Sequence, residues 1–341
     1  MSETPVAPRL GTSPIDEYRQ LCTARLAHLV EVRQPLVLVS QIQRSGGTLL
    51  SQLFDGHPEC HAHPQEVKIG WPKKRHWPPI DLARPDEWFG MLYETAAGKH
   101  LVGGYRKSPA PSGVDVLPFL FSPRLQRQVF EACVAAWPIE RERDVLDAYM
   151  TSYFNAWLDN HNLYAEPKKL VTGFTPQLAL EPGNADRFFA AYPDGTLISI
   201  VRDPRGWFSS SREHKRHRRV IRVDGAMKRW RFSVEAALEL HERFAGRVLV
   251  LTYERLVADT EHVVDALAER LGLTMAPVLL EPTFNGRPIR ADSSFAVPGY
   301  GVLRDRVEKW RELLDQASVE RIDTLAGDLY ERAAAVQFPG R

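Results

Sequence analysis

The apolar run Leu36-Val37-Leu38-Val39 gives way to Gln43-Arg44-Ser45-Gly46-Gly47-Thr48, and apolar spacing resumes in Leu49-Leu50-Ser51-Gln52-Leu53-Phe54. Continuous apolar β-formers suit a strand covered on both faces of a sheet. The glycine pair predicts a tight loop, and the residues after it predict the first turns of a helix. A strand, a glycine loop and a helix N-terminus together form an anion cradle, because backbone N–H groups point outward and the helix dipole favours negative charge. Arg44 adds a fixed cation with a planar donor fork. The loop is not a Walker A motif, which places a lysine directly before its closing Ser/Thr. Here Gly47 precedes Thr48, and the cation stands at the front of the loop. That displacement argues against an ATP-dependent kinase and for another phosphate-bearing donor.

A second element of the same kind lies downstream. Thr196 to Val201 reads as a strand that ends in Arg202-Asp203-Pro204, and the helix after it carries Ser210. Pro204 restricts Asp203 to extended geometry and stops the strand. A strand-end arginine and a hydroxyl about two helical turns later can converge on one phosphate.

These blocks together resemble the sulfotransferases that use 3′-phosphoadenosine 5′-phosphosulfate (PAPS). Arg44-Ser45-Gly46-Gly47-Thr48-Leu49 is similar to that family's 5′-phosphosulfate loop, above all to the Arg-Ser-Gly-Thr-Thr-Leu form of the tyrosylprotein enzymes. Val201-Arg202-Asp203-Pro204 through Ser210 resembles the 3′-phosphate motif. Leu251-Thr252-Tyr253-Glu254-Arg255-Leu256 is similar to the family's Tyr-Glu-x-Leu strand end, and Trp310 matches a tryptophan near its C-terminus. The likeness covers residues 35–70 and 170–315.

The resemblance implies a parallel β-sheet flanked by helices, a fold like that of P-loop nucleotide-binding proteins, with a largely helical insertion. It implies PAPS as donor co-substrate and no metal. Arg44, Ser45, Gly46, Gly47, Thr48 and Leu49 would hold the 5′-phosphosulfate, and Arg202 and Ser210 the 3′-phosphate. Tyr253 and Ser294 would complete the donor site. Gly299, Gly301 and Arg304 would put a mobile loop with a cation over the donor's 3′ end. Glu66, counted from His57-Pro58, matches the catalytic glutamate of glycan sulfotransferases, with Arg44 as the catalytic cation. A glutamate serves as base where burial raises its pKa.

Histidine is the usual base near neutral pH, so His61 and His63 compete with Glu66; both read as loop or acceptor-pocket residues. Two histidines alone supply too few ligands for a closed zinc site. The chain departs from the tyrosylprotein pattern at Phe174, where those enzymes carry a lysine. Lys107-Ser108-Pro109-Ala110 is similar to a segment of glycan sulfotransferases, so either Lys107 folds back into the site or Arg44 carries the sulfuryl charge largely alone. A P-loop kinase using ATP and Mg²⁺, or a non-catalytic nucleotide-binding protein of the same fold, stays open. The acceptor is open among glycan, phenol, peptide and small metabolite.

The 341 residues, 44% hydrophobic, suffice for one large α/β domain. The expected organisation is a tail and helix over 1–34, then a single domain over 35–330. Within that domain, 71–165 forms an inserted irregular and helical lobe on the acceptor side. Helices are expected near 15–32, 86–97, 125–137 and 143–160. A net charge of +1 gives no electrostatic case for nucleic acid or membrane. The run His214 to Arg222 is basic but lacks the aromatic interleaving of a nucleic-acid binder. Three scattered cysteines suggest no disulfide framework. With no apolar signal core at the start and no apolar run of transmembrane length, the expected location is cytoplasmic.

Overall fold

The computed structural model describes residues 13–67, 76–94, 104–105, 116–213, 222–290 and 299–340. In chain order its main elements are α1 (Pro14–Ala27), β1 (Leu36–Val39), α2 (Gly47–Phe54), β2 (Cys60–Glu66), α3 (Pro85–Leu92), α4 (Pro123–Ala136), α5 (Glu142–Ala156) and β3 (Leu170–Phe174). There follow α6 (Pro182–Ala191), β4 (Thr196–Val201), α7 (Pro204–Glu213), α8 (Val223–Arg243), β5 (Val248–Thr252), α9 (Tyr253–Ala258) and α10 (Thr260–Arg270). A short hairpin, β6 (Thr283–Phe284) and β7 (Arg287–Pro288), precedes the last helix, α11 (Gln316–Ala335).

Five strands form one parallel sheet in the order β2-β3-β1-β4-β5. Every residue of β1, β3 and β5 is buried, which is why these segments read as unbroken apolar runs. Val39, Leu53, Ile198 and Val264 share a core between the sheet and the α2/α10 face. Leu38, Tyr153, Phe188 and Leu197 belong to the core on the opposite face. A third cluster joins Val201, Trp207, Trp230 and Leu329, seating α7, α8 and α11 beside β4 and β5.

The order also locates a crevice. From β1 the chain crosses to the β2 side, and from β4 it crosses to the β5 side. The β1/β4 boundary is therefore the topological switch point, where ligands of open α/β sheets bind beyond the strand ends.

The structure amends several expectations. The helix expected over 15–32 ends at Ala27, because the Val30 and Val32 N–H groups donate to Asn155 and Thr151 side chains of α5 instead of continuing a helix. The stretch holding His61 and His63 is not a loop but the edge strand β2. The helix expected near 86–97 is Pro85–Leu92, with residues 95–97 outside the described part. The helix expected over 143–160 stops at Ala156, where Trp157 turns out to bridge with Phe121. No helix among the described residues is long and apolar enough to cross a membrane.

Candidate active site

The loop after β1 turns through two left-handed residues, Arg44 (φ 74°) and Gly46 (φ 105°). A non-glycine residue rarely adopts that conformation, and Arg44 is held in it from outside the loop. Its carbonyl accepts from Arg202 Nη1 at 3.1 Å, and its own Nε donates to Ser210 Oγ at 3.3 Å. The preceding carbonyl, of Gln43, accepts from Trp207 Nε1 at 2.8 Å. Thus the front of the loop is tied to Arg202 at the end of β4 and to α7, across the switch point.

The two glycines are required by neighbours. A Cβ on Gly46 would overlap the Tyr253 ring, and one on Gly47 would overlap the Phe174 ring. The need for glycine at 47 is thus set first by Phe174, before any ligand approaches. Ser45 is buried, and Gly47, Thr48 and Leu49 form the first turn of α2. Their N–H groups lie ahead of the first intrahelical acceptor, as at any helix start.

Arg202 is 8% exposed. Its guanidinium carbon sits 4.4 Å from the centre of the Tyr253 ring, and its Nε meets no acceptor among the described residues. An orphaned guanidinium N–H in a buried setting is costly unless an acceptor reaches it. Burial raises the Tyr253 phenol above its ordinary pKa, with Arg202 and Arg44 opposing the shift. Arg44, Arg202, Ser210, Tyr253 and Gly46, far apart in sequence, therefore form one cationic cluster. A buried arginine with a spare donor, a second arginine and a helix N-terminus fit a phosphate-bearing ligand.

Glu66 closes β2 and stands in register with Phe174, which is itself in register with Val39 of β1. Paired residues on parallel strands face the same way, so Glu66, Phe174 and Val39 share the α2 face at the carboxyl edge of the sheet. With neighbouring strands roughly 4.8 Å apart, Glu66 lies about 10 Å across the sheet from the end of β1. Phe174, on the strand between them, sets its ring against Gly47.

His61 and His63 point elsewhere. Both are 2% exposed, and their rings pack on Phe154 and Tyr153 of α5, with centroids 5.0 and 4.3 Å away. Burial pushes the His61 imidazole down to about 3, which leaves it neutral and a poor proton acceptor at pH 7. His63 Nε2 faces Glu94 Oε1 at 3.2 Å in a buried pair.

Arg304 begins a short 3-10 turn and is exposed. The next residue, Asp305, is close enough to act electrostatically on Tyr253. Trp310 is buried and carries the Arg205 guanidinium over its ring at 4.4 Å. Ser294, Lys107 and the basic run 214–221 lie outside the described residues. No group of three or more metal-ligating side chains occurs among the described residues.

Sequence reasoning missed Gln43, whose Oε1 accepts from Gln177 Nε2 at 2.5 Å and Arg229 Nη2 at 2.9 Å. It also passed over the carboxylate of Glu254, which accepts from Asp203 N–H at 3.1 Å and Tyr330 O–H at 2.8 Å. Burial, with Asp203 nearby, pushes the Glu254 carboxyl up to about 6. The Tyr253-Glu254 pair marked the place, but nothing local pointed to its partners.

Comparison with known proteins gives the family. A model described as the sulfotransferase family matches residues 35–277. No curated protein sequence matches the chain. Among solved structures, the sulfotransferase domain from the curacin biosynthetic pathway is similar at 16% identity and TM-score 0.46, over 86% of this chain and 98% of that one. The sulfotransferase domain from the Synechococcus PCC 7002 olefin synthase is similar at 19% identity and TM-score 0.46, over 89% and 94%. A sulfotransferase from Mycobacterium avium is similar at 16% identity and TM-score 0.43, over 96% and 83%.

Proposed function

The chain belongs to the sulfotransferase family, and on that footing we propose that it moves a sulfuryl group from PAPS to a hydroxyl or amine acceptor by in-line displacement. The observation that carries this reading is the convergence of Arg44, Arg202 and Ser210 at the β1/β4 switch point. Two phosphate-bearing ends of one nucleotide need two anion sites, and the α2 N-terminus and the Arg202 end of β4 supply them side by side.

In this reading Ser45, Gly46, Gly47, Thr48 and Leu49 bind the 5′-phosphosulfate through the loop and first helical turn. Arg202 and Ser210 bind the 3′-phosphate, with the spare Arg202 Nε donor turned to a phosphate oxygen. Tyr253, Ser294 and Arg304 complete the donor site. The bound donor supplies the sulfuryl group, and 3′,5′-adenosine bisphosphate is the product left behind. Arg44 stabilises negative charge on the transferring group, a preorganised cation in a partly dry site. Glu66, on the same sheet face as the cradle, takes the acceptor proton. With Phe174 at the position of the tyrosylprotein enzymes' lysine, either Lys107 joins Arg44 at the sulfuryl group or Arg44 carries this charge largely alone. No metal is needed, and the acceptor is a glycan, phenol, peptide or small metabolite. All three cysteines are free thiols, which suits a reducing, cytoplasmic setting.

A thermal-shift comparison tests the donor class. The expected result is stabilisation by 3′,5′-adenosine bisphosphate without Mg²⁺ and little by ATP with Mg²⁺. Stabilisation by ATP with Mg²⁺ alone would move the assignment to a kinase.

A further inference from the structure

The peptide unit joining Arg202 to Asp203 is clamped at both edges. Its carbonyl accepts from Trp230 Nε1 of α8 at 2.9 Å, and its N–H donates to Glu254 Oε1 at 3.1 Å. The second oxygen of Glu254 accepts from Tyr330 O–H of α11 at 2.8 Å. Tyr330 lies beyond residues 35–277, the stretch matched by the family model. A second tie runs from the same turn to α11, since Asp203 holds the Arg205 guanidinium at 2.6 Å and Arg205 reaches Asp323 at 3.6 Å.

From this geometry we infer that Glu254 and Tyr330 are positioning residues for the donor's 3′-phosphate, acting through the Arg202–Asp203 peptide. The inference rests on the proposed donor reading and deepens it. A peptide plane fixed on both edges fixes the direction in which the Arg202 side chain leaves the backbone. Its guanidinium must then be aimed twice, toward the Arg44 carbonyl and over the Tyr253 ring. A small rotation of the plane would swing that long side chain by ångströms, which is enough to lose a bidentate contact with phosphate. Glu254 cannot hold the plane unaided. It sits beside the Asp203 carboxylate, and its charge is tolerable where Tyr330 supplies a second donor and Arg202 a nearby cation. The C-terminal helix thereby contributes to nucleotide selection without touching the nucleotide.

The test is calorimetry on the full chain with two probes, 3′,5′-adenosine bisphosphate and AMP, since only the first fills the 3′ site. Tyr330→Phe keeps the ring and removes one hydroxyl. It should weaken the bisphosphate by about fivefold to tenfold, the size of one ordinary hydrogen bond felt at second hand, and leave AMP within about twofold. Glu254→Ala should lose most of the discrimination. Glu254→Gln, which keeps an oxygen for the Asp203 N–H, should regain much of it, and a merely structural role would not follow that pattern. If the wild type discriminates and Tyr330→Phe discriminates equally well, the positioning role is overturned while the donor reading stands. If the wild type binds both probes alike, the donor reading falls and this inference falls with it.

Discussion

The β1/β4 edge and the β2 edge of the same sheet are both lined with polar and charged groups, yet they use them in opposite ways. At β1/β4 one cation keeps a donor available: Arg202 is buried with an Nε unmet among the described residues, while Arg44 is held left-handed by bonds to Arg202 and Ser210. At β2 the titratable groups are turned into the core. His61 packs on Phe154, and His63 faces Glu94; only Glu66, at the last position, reaches the working edge. In the proposed reading one edge receives the donor's anions and the other supports a single carboxylate. The Phe174 ring against Gly47 marks the border between them.

The largest expected effect tests the role given to the β2 edge. Glu66→Gln should lower turnover by about 10²–10⁴ while leaving donor affinity intact, because the amide keeps the shape and cannot take a proton. The acceptor for this assay is found by incubating labelled PAPS with glycans, phenols, peptides and metabolite extracts. Wild-type turnover in that variant would break the assignment.

A smaller energy is expected from His63→Ala, and in stability rather than chemistry. It takes away the ring that faces the buried Glu94 side chain, at a cost of about 1–3 kcal/mol, readable as a lower urea midpoint. Turnover per folded molecule should be nearly unchanged. A stable but inactive His63→Ala protein would transfer the base to histidine and erase the contrast between Glu66 and the rest of β2.

The border itself can be probed with Gly47→Val. The added side chain meets the Phe174 ring, so overpacking should destabilise by about 1–3 kcal/mol and abolish bisphosphate binding. Combined with Phe174→Ala, it should show a favourable coupling of about 1 kcal/mol or more in a double-mutant cycle. Additive energies would mean that the two residues do not meet.

A smaller effect concerns the donor edge and pH. The Glu254 carboxyl is raised in the folded state from 4.5 to about 6 by burial, so folding favours its protonated form. Its contribution to stability is full below about pH 4.5 and is lost as pH rises through about 6. Relative to Glu254→Gln, the wild type should lose about 1–2 kcal/mol over that window and stay level above pH 7. Urea unfolding at a series of pH values reads this directly, and a flat difference would return Glu254 to an ordinary carboxyl.

The same contrast governs what the sequence made legible. The donor edge is built from contiguous pieces, a strand running into Arg44 to Thr48 and another running into Arg202 and Ser210, so type and spacing were both readable. What joins the pieces was not. Tyr330 and Glu254 are 76 residues apart, Phe174 and Gly47 meet only because β3 pairs with β1, and Gln43 gathers Gln177 and Arg229 from two other elements. The strand β2 was hidden because Cys-His-Ala-His-Pro-Gln-Glu has neither an apolar run nor β-branched residues, and its histidines are buried by α5 packing rather than by their own hydrophobicity. Helix cores were legible and their ends less so, as α1 shows, since its stop depends on Asn155 and Thr151 far along the chain.

The central claim is that the β1/β4 edge holds two phosphate-bearing ends of one nucleotide, and a calorimetric titration tests it most directly. Wild type and Arg202→Ala are each titrated with 3′,5′-adenosine bisphosphate, AMP and ATP. The wild type should prefer the bisphosphate by roughly 1.5–3 kcal/mol, the size of one charge-assisted phosphate contact, and Arg202→Ala should lose most of that preference. Equal affinity of the wild type for the bisphosphate and AMP would contradict the claim.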